Sequence, residues 1–217
     1  MNSVLIGIVD YGIGNLHSVS KGLQKAGAQV KIVNSPRNLE RYDGLVLPGV
    51  GSFDPVVRTL RKHGFEIPLK IAVARGQPLL GICLGLQILF ESSSEGDQPG
   101  LGILAGKVQR FTSEPGLKIP HMGWNQLQLN QNIPIWRELK GNTWVYFVHS
   151  YYVVPEDISL VSATVTHGTQ KVTASISKGT LVATQFHPEK SANTGLQILR
   201  NFVDLVKKRD EAKIEER

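Results

Sequence analysis

The sequence predicts a mixed α/β domain whose sheet is parallel at its centre and antiparallel towards one side. Short apolar runs alternate with helical patterns in the first half of the chain, while closely spaced strand-like runs joined by turn signals fill the second. The length of 217 residues, 41% hydrophobic and only 19% charged, suits one domain with a sizeable core rather than a disordered chain.

Val4 to Val9 is nearly all apolar and rich in β-branched residues, as in a strand buried on both faces. After a turn over Asp10 to Gly14, Leu16, Val19, Leu23 and Ala26 fall at helical spacings, and Gly27 stops the helix. Val30, Ile32 and Val33 form a strand, and Leu45 to Leu47 another, ended by Pro48. Asp54 and Pro55 read as an N-cap followed by proline at the first helical position. A helical stretch over Ile67 to Ala74 ends at Gly76. Leu79 to Ile82 is then a strand, Leu84 to Glu91 a helix, and the polar stretch Ser92 to Gly100 a surface loop. Strands separated by helices imply right-handed crossovers and a parallel sheet covered on both faces.

Residues 101–111, 118–130, 143–154, 160–166, 171–177 and 180–186 are strand-like, with hairpin signals at Thr166 to Thr169 and Ser177 to Thr180. A final helix, from about Thr194 to Lys208, puts Leu196, Leu199, Phe202, Val203 and Val206 on one side. The expected organisation is one domain over 1–207 with a charged C-terminal extension over 208–217.

Composition narrows the function classes. Lys and Arg number 24 against 18 Asp and Glu, a net +6. The one compact basic run, Lys207 to Arg209, is followed at once by Asp210, Glu211, Glu215 and Glu216. With no nucleic-acid module and 7% aromatic residues, nucleic-acid binding is not expected; a solvated surface or a docking face for an acidic protein partner fits better. The longest apolar run, Pro78 to Phe90, is too short to span a bilayer and contains Gln87. The N-terminus lacks the early positive charge of a signal peptide, so a soluble cytoplasmic protein is expected, with no membrane contact. A single cysteine excludes an internal disulfide and argues against a Cys-based zinc cluster; no metal or cofactor is expected.

That cysteine stands in Gly81-Ile82-Cys83-Leu84-Gly85, between a strand and a helix. With Cys in place of Ser this is the nucleophile elbow G-x-S-x-G in its expected strand–turn–helix setting. The turn projects the side chain from the C-terminal edge of the sheet, and the helix N-terminus favours a thiolate. The plain alternative is an inert buried thiol. Of six histidines, His187 lies at the end of the strand Leu181 to Phe186 and is followed by Pro188 and Glu189. If strand geometry continues, positions two apart share a face, so Glu189 can hold the imidazole while His187 moves the proton. For an oxyanion, the Leu84 N–H is the expected first donor, and Val50 or Gly51 a second, in the segment Pro48-Gly49-Val50-Gly51. Gln87, one turn from Cys83, shares its helix face.

Gly81 to Gln87 together with Gln185 to Lys190 resembles the class I (triad) glutamine amidotransferases. Val9 to Leu16, Pro48 to Phe53, His121 to Asn125 and Tyr146 to Tyr151 narrow the resemblance to the glutaminase subunits of imidazole glycerol phosphate synthase. These motifs run from residue 9 to 190, and none departs from the family's triad. The resemblance implies a flavodoxin-like fold and hydrolysis of L-glutamine to glutamate and ammonia through a thioester on Cys83, with His187 and Glu189 completing the triad. It implies that Gln87, the backbone around Gly49 to Gly51, Ser150 and Tyr151 hold the substrate. It also implies a heterodimer with a separate (β/α)₈-barrel cyclase, faced by Asn15, Trp124, Tyr146 and Lys190. The cyclase would use the ammonia to make imidazole glycerol phosphate and an aminoimidazole carboxamide ribonucleotide in histidine biosynthesis. Trp124 and Tyr146 are equally readable as core aromatics. Two rival readings are a glutaminase serving another synthase, such as that of pyridoxal phosphate, and a catalytically silent scaffold.

Overall fold

The first apolar run forms strand β1 (Leu5–Val9), buried from Ile6 onward because helices cover both faces of the sheet, in the computed structural model, which describes residues 3–139 and 143–215. Helix α1 (Leu16–Lys25) is capped by Asn15, whose Oδ1 accepts the Ser18 N–H at 3.4 Å, and ends before Gly27 at φ +97°. Strand β2 (Gln29–Val33) follows, then β3 (Gly44–Gly49), α2 (Phe53–Lys62), α3 (Glu66–Ala74), β4 (Leu79–Cys83) and α4 (Leu84–Gln87). Next come β5 (Ser92–Ser93), β6 (Gly106–Arg110), β7 (His121–Gln126), β8 (Gln128–Leu129), β9 (Trp144–His149) and β10 (Tyr151–Pro155). The chain closes with β11 (Val161–His167), β12 (Gln170–Lys178), β13 (Leu181–Thr184) and α5 (Ala192–Glu215).

The main sheet runs β2-β1-β3-β4-β13-β12-β11-β8. Its first five strands are mutually parallel and the last three antiparallel, the mixture expected from the sequence. Alternation divides the core. Ile6, Ile8, Val46, Leu80, Ile82 and Val182 pack with α1 and α5 on one face. Leu45, Leu47, Leu79, Leu181 and Ala183 pack with α2 and α3 on the other. Two small sheets lie above the C-terminal strand ends, β5-β6-β10 and the antiparallel ribbon β7-β9. Among the described residues no helix is long and apolar enough to cross a membrane.

Several local expectations change. Pro48 lies inside β3, opposite Ile82. Helix α2 begins at Phe53, so Asp54 sits in its first turn rather than capping it. Its carboxylate instead accepts the Asp97 and Gln98 N–H groups and pairs with Arg58, while Glu95 Oε2 accepts the Phe53 N–H at 3.0 Å. The helix expected over Leu84 to Glu91 is only four residues long. It stops because the carbonyls of Ile88 to Glu91 are taken by the N–H groups of Gly100 to Leu104, which return over them. The run 143–154 is two strands in different sheets, since β9 pairs with β7 and β10 with β6, and Ser150 stands at the break. The last helix continues in its backbone to Glu215.

Candidate active site

The elbow works by removing side chains. A Cβ on Gly85 would lie 1.9 Å from the Leu47 carbonyl oxygen, and one on Gly81 would lie 2.9 Å from both Ala183 Cβ and the Gly85 oxygen. With hydrogen there instead, α4 sits directly against β3, and Cys83 is held at φ 58°, ψ −110°, a backbone conformation that L-residues rarely adopt. The turn puts Sγ on the floor of a cavity of about 350 Å³, a volume suited to an amino acid. Because α4 spans one turn, the expected helix-dipole contribution at the sulfur reduces to local N–H groups.

His187 faces that sulfur. Its Nδ1 lies 2.7 Å from Glu189 Oε1, with both side chains buried, and Cys83 is close enough to act on the ring's pKa. Burial alone would lower the imidazole pKa, but the hydrogen bonds from Cys83 and Glu189 outweigh it and raise the value to about 9. The pair does not arise from continued strand geometry. β13 ends at Thr184, and residues 188–190 make a single 3₁₀ turn that folds Glu189 back onto the ring. Main chain and one serine fix this turn. The His187 N–H donates to the Tyr146 carbonyl at 3.0 Å, while the buried Ser191 Oγ donates to the His187 carbonyl at 2.6 Å and accepts the Tyr146 N–H at 2.9 Å.

Val50, Gly51, Leu84, Gln87, Ser150 and Tyr151 line the same cavity as Cys83 and His187. Gly49 lies beneath it, opposite Cys83 in the β3–β4 register and packed on the backbone of Leu84 and Gly85. Just before this segment, the buried Tyr11 hydroxyl donates to the Pro48 carbonyl at 2.6 Å; burial, and then the charge of Cys83, push its pKa up, so it stays a neutral donor. The four residues expected at a partner face are distributed differently. Trp124 and Tyr146 are cross-strand neighbours on the ribbon, with centroids 6.2 Å apart and edge-to-face; Trp124 is 49% exposed, so it is not a core aromatic. Lys190 is exposed on the turn after Glu189, and Asn15 caps α1.

Sequence reasoning gave no site role to Glu95, Gln185 or His149. Glu95 lies in the stretch read as a surface loop, yet it reaches the cavity wall, and burial raises its carboxyl pKa. Asp54 folds that loop inward, a tertiary contact with no local signal. Gln185 is fully buried and donates from Nε2 to Cys83 Sγ at 3.7 Å. His149, on the cavity wall, pairs through Nε2 with His121 Nδ1 at 3.1 Å. A larger open groove of about 770 Å³ between β10, β11 and β12 lacks any nucleophile–base pair, so chemistry rather than size locates the site.

Burial lowers the His121 pKa to about 4, helped by neighbouring His167, and that of His149 to about 3, against the pull of the Tyr151 carbonyl. Both rings titrate near 6.5 once unfolded. Below that pH the unfolded chain binds more protons than the fold, so stability falls as pH falls from 6.5 towards 4. The loss is about 1.4 kcal/mol per pH unit for each proton. Denaturant unfolding between about pH 6.5 and 4.5 should show this slope, reduced by about one proton in His121→Phe. An equal slope in the variant would show that His121 is not held neutral.

A cysteine at a strand end, a histidine paired with a buried carboxylate beside it, and an amino-acid-sized cavity on a flavodoxin-like sheet are the parts that a triad amidase requires. The sequence family that matches is glutamine amidotransferase class-I, over residues 7–206, and the chain belongs to it. The chain is 62% identical to imidazole glycerol phosphate synthase subunit HisH of Gloeothece citriformis over 94% of its own length and 97% of that protein's. It is 61% identical to the HisH subunit of Nostoc punctiforme, over 94% and 98%. Within the class it therefore belongs with the HisH glutaminase subunits of imidazole glycerol phosphate synthase. In fold it resembles PurLQS from Thermotoga maritima, with a TM-score of 0.75 at 19% identity over 94% and 99% of the two chains. A glutamine amidotransferase structure aligns with a TM-score of 0.72 at 22% identity, over 93% and 98%.

Proposed function

We propose that the chain hydrolyses L-glutamine to glutamate and ammonia and passes the ammonia to a (β/α)₈-barrel cyclase subunit, in the cytoplasm, for histidine biosynthesis. The observation that carries this is the His187 imidazole held between Cys83 and Glu189 at the floor of the cavity. The Cys83 thiol passes its proton to His187, and the thiolate attacks the γ-carboxamide carbon, forming a C–S bond while the carbonyl π pair moves onto oxygen. The Leu84 N–H and one from Val50 or Gly51 stabilise that oxyanion. His187 gives its proton to the amide nitrogen, ammonia leaves, and the γ-glutamyl thioester remains. His187 then takes a proton from water, whose oxygen attacks the thioester; the C–S bond breaks, glutamate leaves, and His187 returns the proton to the sulfur. Glu189 keeps the imidazole oriented throughout.

Gln87, Ser150 and Tyr151 supply polar groups for the substrate's amino-acid end, and the Glu95 carboxylate is the counter-charge for its α-ammonium. Trp124 and Tyr146, with the exposed Met122 and Trp144 on the same ribbon, give the partner an apolar anchor, and Lys190 and Asn15 flank it with polar groups. The test is glutamate release measured on the chain alone and after mixing with the barrel cyclase and its nucleotide ligand. Release should be near zero alone and rise strongly in the complex. No stimulation would sink the proposal.

A further inference from the structure

Strands β7 and β9 present alternate residues to opposite sides. Met122, Trp124, Trp144 and Tyr146 face outward, while His121, Asn125, Phe147 and His149 line the inner side. On that inner side the hydrogen bonds form one directed chain. The Tyr151 carbonyl can only accept, so His149 Nδ1, 2.8 Å away, carries a proton. The neutral ring then offers Nε2 as acceptor, and His121 Nδ1 donates to it at 3.1 Å. His121 Nε2 in turn accepts from the Asn125 amide nitrogen at 3.1 Å, which also donates to the Thr166 carbonyl at 2.8 Å, while Asn125 Oδ1 takes the Gln126 N–H.

The Tyr151 carbonyl joins this chain to a second one that donates into it from the other side. The same carbonyl accepts from Gln87 Nε2 at 3.0 Å, Gln87 Nε2 also donates to Gln185 Oε1 at 3.0 Å, and Gln185 Nε2 reaches Cys83 Sγ. Gln87, Gln185, His121 and His149 are all buried, and His121 is clasped between the rings of Phe147 and His167, with centroids 4.6 and 4.2 Å away. In such a network each proton has one place, and a displaced member carries its neighbours or leaves a buried polar group unpaired.

We infer that His121 and His149 are positioning residues for the hydrolysis: a fixed-tautomer relay that ties the ribbon under the partner-docking face to the placement of Gln87, Gln185 and the Cys83 sulfur. Neither ring touches the reacting atoms through this chain. Their effect is on geometry, and a shift of the ribbon reaches the sulfur without any change of protonation. The inference rests on the glutaminase reading above.

The experiment uses the complex with the barrel cyclase. His121→Phe keeps the ring stacking but removes the donor to His149. His121→Asn places an amide nitrogen where Nδ1 stood and retains it. Partner-stimulated kcat for glutamine should fall about tenfold in His121→Phe and stay within about twofold of the original in His121→Asn. Synthesis from ammonium salts by the same complexes should be unchanged, which shows that docking is intact. An unaltered kcat in His121→Phe, or an equal fall in His121→Asn, overturns the relay. Should His121→Phe fail to form the complex, Asn125→Leu cuts the chain at its half-exposed end; a lowered kcat there supports the relay and an unaltered one overturns it. A complex of the unsubstituted chain that releases no glutamate removes the glutaminase reading instead, a result separable from both.

Discussion

Cys83→Ala should leave the complex with no measurable glutamine-driven product, a loss of at least about 10³-fold, while synthesis from ammonium salts continues unchanged. The asymmetry follows from where the sulfur is. It borders both the cavity and the edge of the core, and the alanine Cβ keeps the cysteine's place there. Alanine at φ 58° carries the same backbone strain that cysteine already tolerates. The substitution therefore removes the nucleophile and leaves the elbow, the cavity walls and the docking ribbon in place. Assaying both nitrogen sources on one preparation decides the matter. Equal loss from glutamine and from ammonium would make Cys83 structural.

Gly85→Ala should be the more damaging substitution for the fold. The new methyl would stand 1.9 Å from the Leu47 carbonyl oxygen and 2.9 Å from its carbon. These are backbone atoms of a buried strand and cannot rotate aside. Either α4 lifts from β3 or β3 bends, and both carry the oxyanion donors away from Cys83. A destabilisation of about 3 kcal/mol or more is expected, with glutaminase activity lost at temperatures where the variant still folds. Gly179→Ala makes the comparison. Its φ is +59°, but nothing lies within 4 Å of the added methyl, so only the backbone term of about 1 kcal/mol applies. Similar melting temperatures for the two variants would refute the close-approach account.

What could be read from the sequence is what depends on neighbours along the chain. Gly81 and Gly85 flank Cys83 within one turn, so the elbow announces itself. Gly27, Gly168 and Gly179 mark chain reversals that the structure places at those points. The parallel centre of the sheet follows from strand–helix alternation, and its antiparallel side from two short hairpin connections. Where expectation and structure part over a helix, a cap or a strand, the cause is a distant segment. Helix α4 is cut short by residues 100–104 taking its carbonyls, and Asp54 leaves the capping role for the N–H groups of Asp97 and Gln98. Ser150 interrupts one apolar run because its two halves find partners in different sheets. Glu95 looked like loop because nothing local says that Asp54 and Phe53 draw it inward. His187 and Glu189 meet as expected, but through a 3₁₀ turn rather than a strand, a reminder that a spacing of two is compatible with more than one backbone.

The grip of β9 on His187 is made by the Tyr146 carbonyl and N–H, with Ser191 bridging, and not by the Tyr146 side chain. Main-chain groups are the same whatever residue carries them. The outer side chains of this strand can therefore change, exchanging aromatic for aliphatic or charge for charge, without loosening the hold on His187. Under the proposed function, recognition would be written in the side chains of this strand and catalysis in its main chain, so two subunits could co-evolve their contact while His187 and Glu189 stand still.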